Sequence, residues 1–536
     1  MESKNTFVKQ AAILAAAGLI SRIIGFLYRL PLTELFLGDE GNGIASPAYN
    51  LYNFFLIISS AGLPAAISKM VSQRLALGQY RNAHEIFKSA LIVSSCVGLA
   101  CSLVLGLFAR QLSVIFGWQD SYYSILALSP TIFIVAIMAV FRGYFQGMNT
   151  TIPTAASQLL EQIFNAFFSV FLAYLMLKNN MGLAMAAAGS NAGTGIGALA
   201  GLLLILFIYS MAAPSLKRRV RRDKHSGIYE SRRSLALELI GTAIPIIAGT
   251  AIFSITNIID ASMASSRLAA SNAFTSDRAK ALYGQLSGKY TTLTTLPASI
   301  STSIATALIP SIAYSLALRD NKAVNHKINM ALRLSMFIST PAAMGLGLFS
   351  NQIISMLFPS HREGGDLLLI GAVSVLFLAV VQVSTGILQS INKLYIPVIA
   401  AACGALVKIP LNYVLIANPD INIKGAVIST VACYVVAAFI DLFFLIKFTG
   451  IRLDVKGIFL KPIFATTVMG LSCYVIYYIV YYAVPSNTLA LCIAIISGVC
   501  VYGIFMLLIG GFQKSEINMM PVVKKLLPLL ESHGMV

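Results

Sequence analysis

Apolar residues in this chain come in runs of about 20, separated by short polar connections. A helix of that length crosses the roughly 30 Å hydrocarbon core of a bilayer. Read this way, the sequence predicts spans near 8–30, 46–67, 89–109, 122–145, 154–177, 183–213, 235–264, 288–318, 329–349, 366–389, 396–416, 425–447, 462–483 and 489–511, about fourteen in all. The seventh and eighth are the most polar and are interrupted by proline. Composition agrees: 57% hydrophobic residues, 11% charged residues and a mean hydropathy of +0.81 exclude a soluble globular chain. The predicted class is an all-α polytopic membrane protein.

A formal net charge of +18 raises the question of nucleic acid, but the placement of the bases answers it. An even number of spans puts both termini on one side. Most of the 38 Lys and Arg fall on that side, which predicts both termini inside by the positive-inside rule. The densest stretch, Lys217-Arg218-Arg219-Val220-Arg221-Arg222-Asp223-Lys224, reads as a topogenic loop facing anionic lipid, with no nucleic-acid partner. The amphipathic Val522-Val523-Lys524-Lys525-Leu526-Leu527 in the tail suits an interfacial helix or a partner contact. The N-terminus imitates a secretory signal, yet Arg22 and the lack of a small-x-small site argue against cleavage. Seven cysteines lie in predicted spans without C-x-x-C spacing, and five histidines lie in loops or the tail without H-E-x-x-H spacing. No metal site, cofactor or Walker A sequence is expected, and no nucleophile, base and metal constellation suggests an enzyme.

The chain repeats itself in order. Leu63-Pro64-Ala65-Ala66-Ile67-Ser68 recurs as Leu296-Pro297-Ala298-Ser299-Ile300-Ser301, an offset of 233. Gly143-Tyr144-Phe145-Gln146 with Asn149 and Ile152-Pro153 recurs as Gly386-Ile387-Leu388-Gln389 with Asn392 and Ile396-Pro397. Glu161 and Asn165 correspond to Lys408 and Asn412. The arrangement expected is an N-terminal six-helix lobe (1–213), a basic loop (214–234), a C-terminal six-helix lobe (235–447), two further helices (448–511) and a tail (512–536). Parallel repeats of this kind enclose a central cavity and suit alternating access by rocking. Pro64 and Pro297 are either hinges in that motion or kinks that membrane helices tolerate.

Charge inside the spans supplies the candidate chemistry. Arg22 and Arg29 are seven residues apart in the first span and share one helical face. Guanidinium in hydrocarbon is costly. A paired cationic face suits phosphate or pyrophosphate if it lines a wet cavity. The alternative is that both snorkel or pair with an acid such as Glu161. Glu161, Asp260 and Asp441 are acids within spans, each a charge partner or an ion ligand. For Asp260 the bland reading is a pair with Lys289, and Thr256 and Asn257 are the oxygen donors an ion site would add. Asn165 and Asn412 suit interhelical hydrogen bonds, with sugar contacts as the alternative.

Ser21-Arg22-Ile23-Ile24-Gly25, Gly38-Asp39-Glu40-Gly41, Ser60-Ala61-Gly62-Leu63-Pro64-Ala65-Ala66-Ile67-Ser68-Lys69 and Phe141-Arg142-Gly143-Tyr144-Phe145-Gln146-Gly147 together resemble the multidrug/oligosaccharidyl-lipid/polysaccharide exporter superfamily. Within it they resemble the branch of SpoVB-like proteins and MurJ-type lipid II flippases, over nearly the whole chain. The resemblance implies a flippase in the bacterial plasma membrane that moves an undecaprenyl-pyrophosphate-linked precursor, lipid II foremost, to the outer leaflet. It also implies a lipid-linked saccharide and membrane lipids as partners, with cell-wall enzymes a further possibility. Capsule or teichoic-acid precursor flippases and cation-coupled drug antiporters are the alternatives. Arg22 matches the family's first-span arginine, and the last two spans correspond to a groove for the lipid tail. The chain departs from the family where other members carry arginines in the second and eighth spans: the second has none, and the eighth offers only Lys289. Pyrophosphate would then meet Arg22, Arg29 and Lys289, the last as a point charge rather than a bidentate fork.

Overall fold

The computed structural model describes residues 2–221, 230–270, 273–317, 320–391 and 393–511. The basic loop beyond Arg221 and the tail from Phe512, with the lipid-facing roles expected of them, lie outside the described residues. By contact the chain divides into two compact units. The first comprises Met1–Gly288 with Asn412–Ala426, and the second Lys289–Leu411 with Val427–Val536.

The first unit holds α1 (Glu2–Pro31), α2 (Gly38–Leu56), α3 (Leu63–Ala76), α4 (Tyr80–Leu107), α5 (Ala109–Ile115), α6 (Tyr122–Gly147), α7 (Ile152–Lys178), α8 (Leu183–Arg221), α9 (Arg232–Ala270) and α10 (Ser276–Gly284). π-Helical turns at Leu32–Leu37 and Ile57–Ala61 interrupt the path from α1 to α3. The second unit holds α11 (Thr291–Ala317), α12 (Asn321–Leu348), α13 (Ser350–Leu357), α14 (Gly365–Gly371), α15 (Ser374–Ser390), most of α16 (Tyr395–Leu415) and α17 (Lys424–Thr449), α18 (Lys461–Ala483) and α19 (Asn487–Leu508).

Each stretch that the hydrophobic pattern marks as a span is mostly helical among the described residues. Among the described residues, ten helices are long and apolar enough to cross a membrane, or eleven if α14 and α15, bent by 51°, form one span. Two features account for the difference from about fourteen. Ala16–Ala76 counts once although two expected spans fall in it, and α9 and α11, which carry the polar seventh and eighth spans, are not among the ten.

The repeated motifs have local structural reasons. In α6, a Cβ at Gly143 would stand 2.8 Å from the Pro64 Cα, and one at Gly147 would stand 2.8 Å from the Val71 Cβ. Glycine thus lets α6 lie directly on α3. Asn149 takes a positive φ of 57° just past the end of α6, a left-handed stop that asparagine tolerates. Pro153 then falls in the first turn of α7, where its missing N–H leaves no bond unmade. Ile67, Met70, Ile86, Phe87, Met138 and Phe141 build the core that joins α3, α4 and α6, and α8 and α9 add Ile205 and Leu239.

One boundary differs from the reading of the repeat. Helices α9 and α10, expected in the second lobe, belong by contact to the first unit. Ion pairs and stacking hold them there. Arg74 of α3 bonds Glu230 and Glu238 at 2.8 Å each, and Glu85 of α4 accepts from Arg232 at 2.8 Å. Toward the other end of α9, the Arg267 guanidinium lies 3.7 Å from the centre of the Tyr413 ring.

Candidate functional site

Helix α1 has two unlike faces. At 100° per residue, Arg22, Arg29, Gly18 and Gly25 fall within about 60° of one another, while Ile20, Ile23 and Leu27 lie roughly 140° round from the arginines. The three apolar side chains are exposed. The glycine side meets α7, where Cβ atoms at Gly18 and Gly25 would approach the amides of Gln158 at 4.0 Å and Gln162 at 3.1 Å. Both arginines therefore sit away from the apolar stripe, beside a polar seam. Arg22 is exposed there, and the Arg29 guanidinium stands 5.7 Å from the Tyr49 ring centre of α2.

Glu161 pairs with a third arginine. Its Oε2 accepts from Arg142 at 2.7 Å, and Arg142 also donates to Ser157. Asn165 accepts from Ser169 of its own helix at 2.9 Å and from Thr194 of α8 at 3.3 Å. Asp260 is buried, and its Oδ1 accepts from Asn412 at 2.8 Å. An amide thus supplies one of the bonds to this carboxylate.

Lys289 has backbone partners. It is 0% exposed, and its ammonium donates to the backbone carbonyls of His361 at 2.6 Å and Glu363 at 2.9 Å within the second unit. The Phe358 ring lies 5.4 Å away. Two of its three N–H donors thus tie the 361–363 turn to Lys289. The sequence could not show this, because the carbonyls come from more than 70 residues away. The two prolines also differ. Pro64 opens α3 after the π-helical turn and Gly62, at a real break in the helix. Pro297 lies within α11, and its carbonyl accepts from Ser301.

Sequence reasoning missed the crossing of α2 and α10. A Cβ on Gly43 would overlap the Lys280 carbonyl, and one on Gly284 would overlap the carbonyl of Asp39. At Gly288 a Cβ would lie 2.8 Å from the Asn42 amide. Small residues bring the backbones into direct contact. Farther along, Asn50 Nδ2 donates to the Tyr283 hydroxyl at 2.9 Å. These two residues are 233 positions apart, the offset of the Leu63–Ser68 repeat. The signal was available in the Gly41, Gly43, Gly284 and Gly288 spacing, but glycine is too common in membrane helices to single it out.

Trp118 backs this crossing. Its Nε1 donates to the Ala261 carbonyl at 2.7 Å, and its ring centre lies 5.1 Å from that of Tyr283. Lys280 bridges Asp120 and Asp277. Partial burial opposes the charge on Lys280, but the two carboxylates outweigh it and hold its pKa above the usual lysine value. Beside these groups lies a cavity of about 500 Å³, lined by Trp118, Asp120, Ser265, Thr275 and Lys280 among others. Among the described residues, no cluster of His, Cys, Asp or Glu could hold a metal ion.

Comparisons with known proteins match this arrangement. The profile of a family described as polysaccharide biosynthesis protein matches residues 7–316, and that of the MatE family matches 288–414. Stage V sporulation protein B of Bacillus subtilis is 27% identical, covering 98% of this chain and 99% of its own. Lipid II flippase MurJ of the same organism is 28% identical over 79% of each chain. Among solved structures, a lipid II flippase MurJ in an inward closed conformation superposes with a TM-score of 0.65 at 18% identity, covering 92% of this chain and 98% of that one. An inward-facing multidrug resistance MATE family transporter of the MOP superfamily gives 0.65 at 13% identity, covering 82% and 98%.

Proposed function

The chain belongs to the polysaccharide biosynthesis protein family, and from that premise we propose that it is a flippase for an undecaprenyl-pyrophosphate-linked cell-wall precursor, lipid II, working by alternating access. The observation that carries this reading is the face of α1 on which Arg22 and Arg29 stand, away from the exposed apolar stripe. Two guanidinium groups on one face replace water around a diphosphate while the lipid tail stays in the bilayer. The work is solvation of a headgroup, with no covalent step. Lys289 is engaged with the carbonyls of His361 and Glu363. The MurJ relative supports the lipid II cargo, and the basic bias of the segments that share a side with the termini supports both termini inside the cell.

The family description favours a second cargo, a capsule or teichoic-acid precursor, which differs only in its headgroup. A drug antiporter shares the fold, but an arginine face repels the cations such a transporter carries. Arg22→Ala tests the proposal. The variant inserts normally, since loss of an intramembrane charge eases insertion, but fails to complement a flippase-depleted strain, and the uncomplemented cells accumulate the lipid-linked precursor that is the true cargo. Full complementation by Arg22→Ala would overturn the reading.

A further inference from the structure

Asp441, on α17, is 0% exposed. Its Oδ2 accepts from Thr385 Oγ1 of α15 at 3.2 Å, while its Oδ1, equally shut off, has no hydrogen-bond partner. An ionised carboxylate offers about four acceptor sites, and one neutral hydroxyl fills only one of them. Left so, the charged form is strongly disfavoured. The carboxylic acid fits the same surroundings. Protonation turns the orphan oxygen into a donor, for which helix carbonyls one turn back are ready acceptors, and Thr385 still bonds the other oxygen.

Among the described residues, the charged groups of the neighbouring helices lie elsewhere. Helix α15 carries no titratable side chain. On α16, a Cβ at Gly404 would meet the Cys433 carbonyl of α17, which fixes the register of the two helices. Lys408 then falls opposite Ser429, about 18 Å along the axis from Asp441. Cys403 falls opposite Tyr434, about 10 Å along the axis from Asp441, and Tyr395 opens α16 exposed. Asp366 of α14 belongs to the Val427 end of α17, where Gly371 touches it, about 20 Å away. Lys393 sits over the Phe448 ring at 4.5 Å and Lys447 over Phe444 at 5.9 Å. On α12, which packs on α15, Arg333 is paired with Asp454 and Lys327 donates to Ser315.

We propose that Asp441 is a proton-binding site, held as the carboxylic acid in this conformation, that releases and regains one proton during the transport cycle. On release the carboxyl O–H bond breaks, the proton passes to a water molecule that reaches the site, and a carboxylate remains; uptake reverses this. A sodium ion would need more oxygen ligands than Asp441 and Thr385 provide. The role in transport rests on the flippase reading, whereas the protonation itself does not.

Infrared difference spectroscopy of the purified full-length protein tests the protonation without any cargo. The carbonyl stretch of a protonated acid is expected at neutral pH, fading in alkaline buffer, unchanged when sodium replaces choline, and lost in Asp441→Asn. Thr385→Val, which keeps the acid but removes its hydroxyl partner, shifts the band to higher frequency and covers the case in which Asp441→Asn folds poorly. Identical spectra for wild type and both variants, or a band abolished by sodium at fixed pH, would overturn the assignment. In vesicles carrying a diphosphate lipid-linked saccharide, wild-type flipping changes several-fold when a pH gradient is imposed, and Asp441→Asn loses that response. A wild-type rate indifferent to the gradient would overturn the coupling even with the band present. Failure of Arg22→Ala to affect flipping would instead count against the cargo reading alone.

Discussion

Gly284→Ala probes the crossing of α2 and α10 through a single methyl group. The added Cβ would overlap the Asp39 carbonyl oxygen and lie 2.7 Å from that carbonyl's carbon and 2.9 Å from the Gly43 nitrogen. Ordinary contact between such atoms is about 3.5–4.0 Å, so the helices must part by more than about 1 Å. All three obstructing atoms are backbone, and no rotamer change relieves them. Overpacking of this kind costs about 1–3 kcal/mol, which shifts the equilibrium against the closed crossing by roughly 5- to 150-fold. The chain has one tryptophan, and Trp118 is buried against Tyr283 at this crossing, so intrinsic fluorescence reads the site directly. The expected result is a red-shifted emission, greater quenching by iodide and a lower thermal midpoint. Emission, quenching and midpoint all equal to wild type would refute the claim that this contact is close-packed and that separating it costs energy.

Two further outcomes follow from buried charges. Lys289→Met leaves the carbonyls of His361 and Glu363 without their donor; a loss of about 1.5–3 kcal/mol, typical of a hydrogen bond to a charged group, lowers the thermal midpoint, and an unchanged midpoint would mean that these bonds contribute nothing to stability. Glu161→Gln breaks the pair with Arg142 and destabilises the protein by about 1–3 kcal/mol, between the values for exposed and fully buried pairs. In the double variant with Arg142→Gln much of that loss is recovered, as a double-mutant cycle would read; strict additivity would mean that the pair contributes nothing.

The class of this protein was legible in its residues because a bilayer imposes a one-dimensional rule: about 20 apolar residues make a helix that can cross it. Spans, repeat motifs and the Arg22–Arg29 pair all follow from local pattern, and helix phase alone sets both arginines opposite Ile20, Ile23 and Leu27. What a charge meets on another helix is a long-range matter that periodicity does not encode. Lys289 bonds a carbonyl 72 residues away and Asp260 an amide 152 residues away. The place of α9 and α10 in the first unit depended on ion pairs and glycine contacts with α2, α3 and α4. Desolvation decides these cases: a buried polar group takes whichever donor or acceptor packing brings within 3 Å, and only the folded chain determines which that is.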